Sequence, residues 1–208
     1  MRQWNGDAQY SLFDQDGRRL YLLPRERLRF VEAAKGMAPE VRSFCLAVAF
    51  TGARVSEMLE VTPERIDPMR GVIVLRTLKQ RRTARDGGKA NVYREVPIPP
   101  WLLSDVLASV QQGTDVSSRI WPWSRTTAWR LIKDGMALAA IGAGPWAAPK
   151  GLRHSFAIWA LTAGVPLPLV QRWLGHARIT TTLVYTQVVG EVERTFAEKM
   201  WRLEEEAR

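Results

Sequence analysis

Only one stretch of this chain alternates apolar and polar residues with a period of two. It lies within 71–98, where Val72-Ile73-Val74-Leu75 is short and β-branched and Val92, Arg94, Val96 and Ile98 recur at every second position. A polar segment holding Asp86-Gly87-Gly88 separates the two halves, so the pattern predicts a β-hairpin with a long loop. Everything else reads with helical spacing. Pro24 is a good first-turn residue, with Leu28, Val31 and Ala34 on one face. A second helix over 40–51 stops at Gly52, Ser56 begins a short one, and Thr62-Pro63-Glu64 begins another turn. Beyond Pro99-Pro100 the expected helices cover 101–111, 125–141, 151–163, 166–174, 179–185 and 191–206. The first 19 residues are polar and turn-rich and read as a short lead-in. The expected fold is therefore mainly α with a small antiparallel β-sheet, an α+β domain.

The 208 residues suffice to bury one substantial core. A single cysteine, Cys45, excludes an intramolecular disulfide framework and any CxxC metal site. The two histidines, His154 and His176, leave little for zinc; no metal or other cofactor is expected. No apolar run reaches the roughly 20 residues that span a bilayer, and no signal-peptide block stands at the start. A cytoplasmic address and no membrane partner are expected. Thirty Lys+Arg against 21 Asp+Glu give a net charge of +9, and 24 of those 30 are arginine. Arginine's planar fork suits phosphate, and a pI of 10.3 falls in the range of nucleic-acid-binding domains. The plain alternative is an arginine-rich composition inherited from a GC-rich genome.

Four clusters carry chemistry. The hairpin holds Arg76, Lys79, Arg81, Arg82, Arg85, Lys89 and Arg94 against only Asp86 and Glu95. Such a ribbon can lie along a duplex backbone, where phosphate contacts dominate affinity; the competing reading is a solvated loop. In Pro149-Lys150-Gly151-Leu152-Arg153-His154-Ser155, Lys150 and Arg153 share a face near the positive end of a helix, an arrangement that attracts anions. Trp173-Leu174-Gly175-His176 is followed nine residues later by Tyr185. Thr51-Gly52-Ala53-Arg54-Val55-Ser56-Glu57 places an arginine after a helix-breaking glycine. Each is weak alone, and their order and spacing together are specific.

In that order the motifs resemble the catalytic domain of the tyrosine recombinases, the phage-integrase family, over 20–189. The resemblance implies that Arg54 and Arg153 are the family's two catalytic arginines and Glu57 the acidic neighbour of the first. It implies that Lys79 is the hairpin lysine, with Lys89 as its competitor. His176 matches the late histidine and Tyr185 the nucleophile. Lys150 stands where many members carry histidine, and lysine is a family variant there. His154 reads as structural.

The chemistry agrees with these roles. Two arginines can stabilise charge growing on the non-bridging oxygens of a phosphodiester without a metal. Tyr185 would attack phosphorus and form a 3′-phosphotyrosyl intermediate. Lys79, its pKa lowered by neighbouring cations and by desolvation under DNA, would protonate the departing 5′-oxygen. His176 would bond the phosphate or the tyrosine hydroxyl, Lys150 would assist a proton transfer, and Glu57 would orient Arg54.

The resemblance implies a site-specific recombinase acting on double-stranded DNA as a homo-tetramer, with a possible accessory bending or clamp protein. Its domain is expected over 20–190, and 191–208 is a C-terminal helix that packs in cis or is exchanged between protomers. Family members usually carry an N-terminal clamp domain, and the inversion recombinases that switch fimbrial genes do not. Two rivals stand beside this reading. One is a catalytically silent DNA-binding regulator or architectural factor with the same fold, and the other is a type IB topoisomerase-like enzyme. Trp159 and Trp173 read as core, and Trp121 and Trp123 as core or as stacking platforms for DNA.

Overall fold

A helix apolar on all its faces has to be buried. That is the place of α2 (Pro39–Thr51), in which every side chain from Ser43 to Ala49 is buried. The computed structural model describes residues 11–83, 89–110, 115–188 and 198, the side chains of 79–83, 89, 90 and 188 excepted. Around α2 pack α1 (Pro24–Lys35), α4 (Pro100–Ala108), α5 (Arg125–Leu138) and α6 (Pro149–Thr162). The short α3 (Val55–Met58) follows α2 directly, and α7 (Leu167–Leu174) and α8 (Thr180–Leu183) follow α6. A 3-10 turn, Val184–Val188, carries Tyr185.

The sheet is antiparallel, in the order β1 (Ile66–Asp67), β2 (Val72–Thr83), β3 (Lys89–Pro97). It differs from the expected hairpin in two ways. A two-residue strand, β1, joins it. The long strands also continue through the polar stretch, pairing Arg81 with Asn91 and Thr83 with Lys89 after a register shift between Arg76 and Arg81. A ladder needs only backbone N–H and C=O groups, so apolar alternation stops where the core stops and under-reads the ribbon. The connection shrinks to 84–88.

The lead-in also differs from expectation where it is described. Phe13 bridges Arg19, and Leu12 is buried in a second apolar cluster with Phe156, Val170, Leu174 and Tyr185. Arg19 makes a bidentate pair with Glu26, both bonds 2.6 Å, and its guanidinium lies 4.2 Å from the Trp146 ring. Trp121 is fully buried edge-on to Phe44 and donates Nε1–H to Ser43 Oγ, so it is core and not a DNA platform. Trp123 also sits edge-on to Phe44. Trp159 was expected in the core but is 38% exposed, 5.8 Å from the Arg27 guanidinium. The expected terminal helix over 191–206 lies outside the described residues apart from Glu198. Among the described residues no helix is long and apolar enough to cross a membrane.

Gly52 ends α2 in the left-handed region, at φ 63°. A Cβ there would land on the Phe156 ring. Gly52→Ala therefore combines backbone strain with overpacking and should cost about 2–4 kcal/mol. The denaturant midpoint measures it, and a loss below about 1 kcal/mol would contradict the close approach.

Candidate active site

Arg153 stands in the first turns of α6, 7% exposed, between the C-terminal ends of two other helices. Its Nη1 donates to Gly52 O and its Nη2 to Leu174 O, each at 2.7 Å. Both acceptors lie at glycine-terminated helix ends, because Gly175 closes α7 at φ 66° just as Gly52 closes α2. Carbonyls at such ends are the unpaired, partly negative ones, and here they take a cation from a third helix. Two of five guanidinium N–H donors are thereby used, which fixes the orientation of the group. Burial, then the Arg54 charge, pull Arg153 down to about 9, so it stays protonated at neutral pH.

Arg54 enters from the N-terminus of α3. Its Nη1 donates to Glu57 Oε1 at 2.7 Å, and its backbone N–H to Oε2 at 3.1 Å. Glu57 is fully buried and takes a third bond, 2.6 Å, from Nη2 of Arg94. Burial alone would raise the Glu57 carboxyl; the charges of Arg94, Arg54 and Arg153 outweigh it and hold it below the ordinary 4.5. A single carboxylate thus faces three arginines and fixes the conformation of Arg54.

Arg94 corrects an expectation. It was assigned to the DNA-facing hairpin, yet it is 6% exposed and points inward from β3. Its Nε donates to Trp173 O, its Nη1 to Thr77 Oγ1 and its Nη2 to Glu57. Every nitrogen is engaged inside the protein, which leaves it no role on a phosphate backbone. It ties the sheet to α7 and to Glu57 instead.

The two histidines contact Tyr185 differently. The His176 ring stacks parallel to the tyrosine ring, with centroids 6.3 Å apart, while its Nδ1 bonds Thr182 Oγ1 at 3.0 Å. The hydroxyl of Tyr185 instead meets His154 Nδ1 at 3.0 Å. Burial, then nearby cations, depress both histidines to about 3, so both rings are neutral at pH 7. Burial pushes Tyr185 up to about 12 against the pull of Arg153 and Arg54, so it rests as a phenol.

Arg54, Arg153, His154, His176 and Tyr185 thus converge from three separate segments, with Glu57 behind them. Lys150 lies at the exposed start of α6, a turn before Arg153. Arg76 is half-buried and its Nε donates to Glu60 at 2.8 Å, so its charge is already balanced. The backbones of Lys79, Arg81, Arg82 and Lys89 are strand, but their side chains lie outside the described ones, as does Arg85 entirely. Among the described residues no group of three or more His, Cys, Asp or Glu is gathered as metal ligands.

Sequence reasoning missed His154 as a neighbour of the Tyr185 hydroxyl, and Arg94 and Thr182 as supports. Only Arg94 had a signal, since it shares the period-two face of Val96 and Ile98. The arrangement can bind a phosphodiester between two fixed guanidinium groups beside a tyrosine hydroxyl.

Comparison with known proteins identifies the family and the fold. The profile of the phage integrase family matches residues 21–191. The tyrosine recombinase XerA of Pyrococcus furiosus is 29% identical over 191 residues, which cover 87% of this chain and 58% of that one. The chain thus spans little more than half the length of that relative. A crystal structure of XerA recombinase superposes with a TM-score of 0.68 at 23% identity, covering 86% of this chain and 64% of that chain. XerH site-specific recombinase bound to its difH substrate gives 0.63 at 17% identity, covering 83% and 55%.

Proposed function

This chain belongs to the phage integrase family, and from that premise we propose that it cuts and rejoins double-stranded DNA at specific sites through a covalent bond to Tyr185. The observation that carries the reading is the Arg153 guanidinium, anchored by Gly52 O and Leu174 O beside a tyrosine that the Arg54 and Arg153 charges both reach. A fixed pair of cations next to a hydroxyl suits a pentacoordinate phosphorus, whose added charge appears on the non-bridging oxygens.

In the cutting step Tyr185 Oη gives up its phenolic proton to solvent water and bonds to phosphorus, and the P–O5′ bond breaks. The strand's 3′ end stays on the enzyme and a free 5′-hydroxyl departs, its proton supplied by Lys79. Rejoining runs the step backwards with a 5′-hydroxyl from the partner strand. Bond energy is conserved in the phosphotyrosyl ester, and no nucleotide or metal cofactor is consumed. His176, stacked on the tyrosine with Nδ1 held by Thr182, offers Nε2 to a phosphate oxygen. Lys150 assists from the exposed start of α6. Residues 20–190 form the catalytic domain, and 191–208 dock on a neighbouring protomer in a tetramer on paired sites, with an accessory DNA-bending or clamp protein.

The net charge of +9 and the cationic ribbon support DNA as the partner. Replacing Arg81, Arg82 and Arg85 with glutamine should weaken binding at low salt. The slope of log K against log salt should fall by about 2–3, near 0.9 for each lost phosphate contact. Unchanged affinity and slope would remove these residues from the interface.

The test of the function is a nicked suicide substrate cut from DNA flanking the gene, incubated with the full chain. An SDS-resistant adduct whose peptide maps to Tyr185 is the expected result. Tight, specific binding with no adduct would favour a regulator that keeps the fold without the reaction.

A further inference from the structure

We propose that His154 is a catalytic residue, donating its Nδ1–H to the Tyr185 oxygen and holding that oxygen for attack. The inference rests on the function proposed above and adds a group the expected catalytic set does not contain.

Three observations carry it. Nδ1 lies 3.0 Å from Tyr185 Oη, and among the described residues no other hydrogen bond reaches that oxygen. The opposite ring nitrogen, Nε2, is buried without a partner. The ring is buried on α6, next to Arg153 in sequence.

The tautomer follows from the orphaned nitrogen. The ring is neutral, so one nitrogen carries the proton. A proton on Nε2 would bury an N–H with no acceptor, which native proteins rarely tolerate. A proton on Nδ1 leaves only a lone pair unpartnered, the cheaper deficit. Nδ1 is then the donor and Oη the acceptor. A donor aimed at a phenol oxygen stabilises the phenolate more than the phenol, which opposes the upward push that burial gives this group. It acts in both directions of the reaction, because in rejoining the same oxygen is the leaving group and gathers negative charge.

Adduct formation on the nicked substrate should be measured in a single turnover for wild type, His154→Phe and His154→Asn. Phe keeps a planar aromatic ring, somewhat larger than imidazole, and removes the unpartnered nitrogen as well as the donor. Asn places an amide N–H near the position of Nδ1. The expected result is a loss of about 10²-fold for His154→Phe, the scale for removing one such donor, with DNA affinity unchanged and the melting temperature only modestly lowered by the unpaired Tyr185 oxygen. His154→Asn should recover most of the rate, which a purely packing role would not allow. The His154→Phe defect should persist on a 5′-bridging phosphorothiolate, whose leaving sulfur needs no proton.

A His154→Phe rate within threefold of wild type would overturn the proposal, as would an Asn variant no faster than Phe. Nitrogen-15 spectra of the wild-type imidazole test it without any variant: an unprotonated Nδ1 would overturn it. Absence of any adduct with wild type would instead remove the function on which it rests, while the spectra would still decide the hydrogen bond.

Discussion

Tyr185→Phe will bind its DNA site with wild-type affinity and form no covalent adduct. The ring is 2% exposed and packs with Leu12, Phe156, Val170 and Leu174, all contacts that phenylalanine keeps. The lost atom is Oη, with its single bond to His154. That leaves His154 Nδ1 unpaired and should cost about 1–3 kcal/mol of stability, too little to unfold a domain of this size. The chemical loss is far larger. Removing a nucleophile from a preorganised site lowers the rate by ~10⁴-fold or more, because the remaining groups have nothing to stabilise. Filter binding and denaturing gels separate the two effects. A residual adduct in this variant would move the nucleophile to Tyr10, Tyr21 or Tyr93, and Tyr93, at 48% exposed, would be examined first.

Glu57→Gln should give the largest stability loss of any conservative change in the chain, about 3–5 kcal/mol. The carboxylate is fully buried, and the Arg94 side chain that it neutralises is 3% exposed. Glutamine keeps the volume and an acceptor oxygen but removes the only acidic partner of Arg94 among the described residues, leaving an uncompensated charge in the interior. Arg54 loses its anchor too, so the cleavage rate falls along with stability.

The pH dependence distinguishes this cause from simple repacking. Glu57 titrates below 4.5 in the folded chain, so its contribution is present above about 4.5 and is lost as pH falls through the lowered folded value. His154 and His176 fall from 6.5 to about 3 on folding. The unfolded chain takes up their protons first, so stability also declines as pH drops from about 6.5 towards 3. Wild type should therefore lose stability in two overlapping stretches, whereas Glu57→Gln retains only the histidine one. Urea midpoints between pH 8 and pH 3 measure this; an identical slope below 4.5 in both proteins would exclude the carboxylate as the cause.

Arg94 shows how far a sequence can be read and where the reading turns. Its charge placed it with the cationic ribbon, while its period-two phase placed it with Val96 and Ile98, and phase prevailed. Burying a guanidinium is tolerable only with a counter-charge and with acceptors for its N–H groups. Glu57, Thr77 and the Trp173 carbonyl supply them from positions 37, 17 and 79 residues away. No local pattern reports that those groups meet. His154 is a similar case. A histidine beside an arginine in an apolar helix reads as packing, and its contact with Tyr185 exists only because the 3-10 turn after α8 folds back onto α6.

The sequence by itself determined the described helices and the single hairpin, and its motif order supplied the family resemblance that implies a common role for Arg54, Arg153, His176 and Tyr185. These depend on periodicity, capping residues and motif order, all of which are local along the chain. Gly52 and Gly175 were legible as helix stops for the same reason, a left-handed residue being cheapest as glycine. Only the tertiary structure decided that both stops present their carbonyls to Arg153, that Glu57 is shared between two arginines, and that His154 rather than His176 meets the Tyr185 hydroxyl. Each of those facts is a pairing of buried polar groups distant in sequence. Burial forces every such group to find a partner, but which partner it finds depends on how the helices pack.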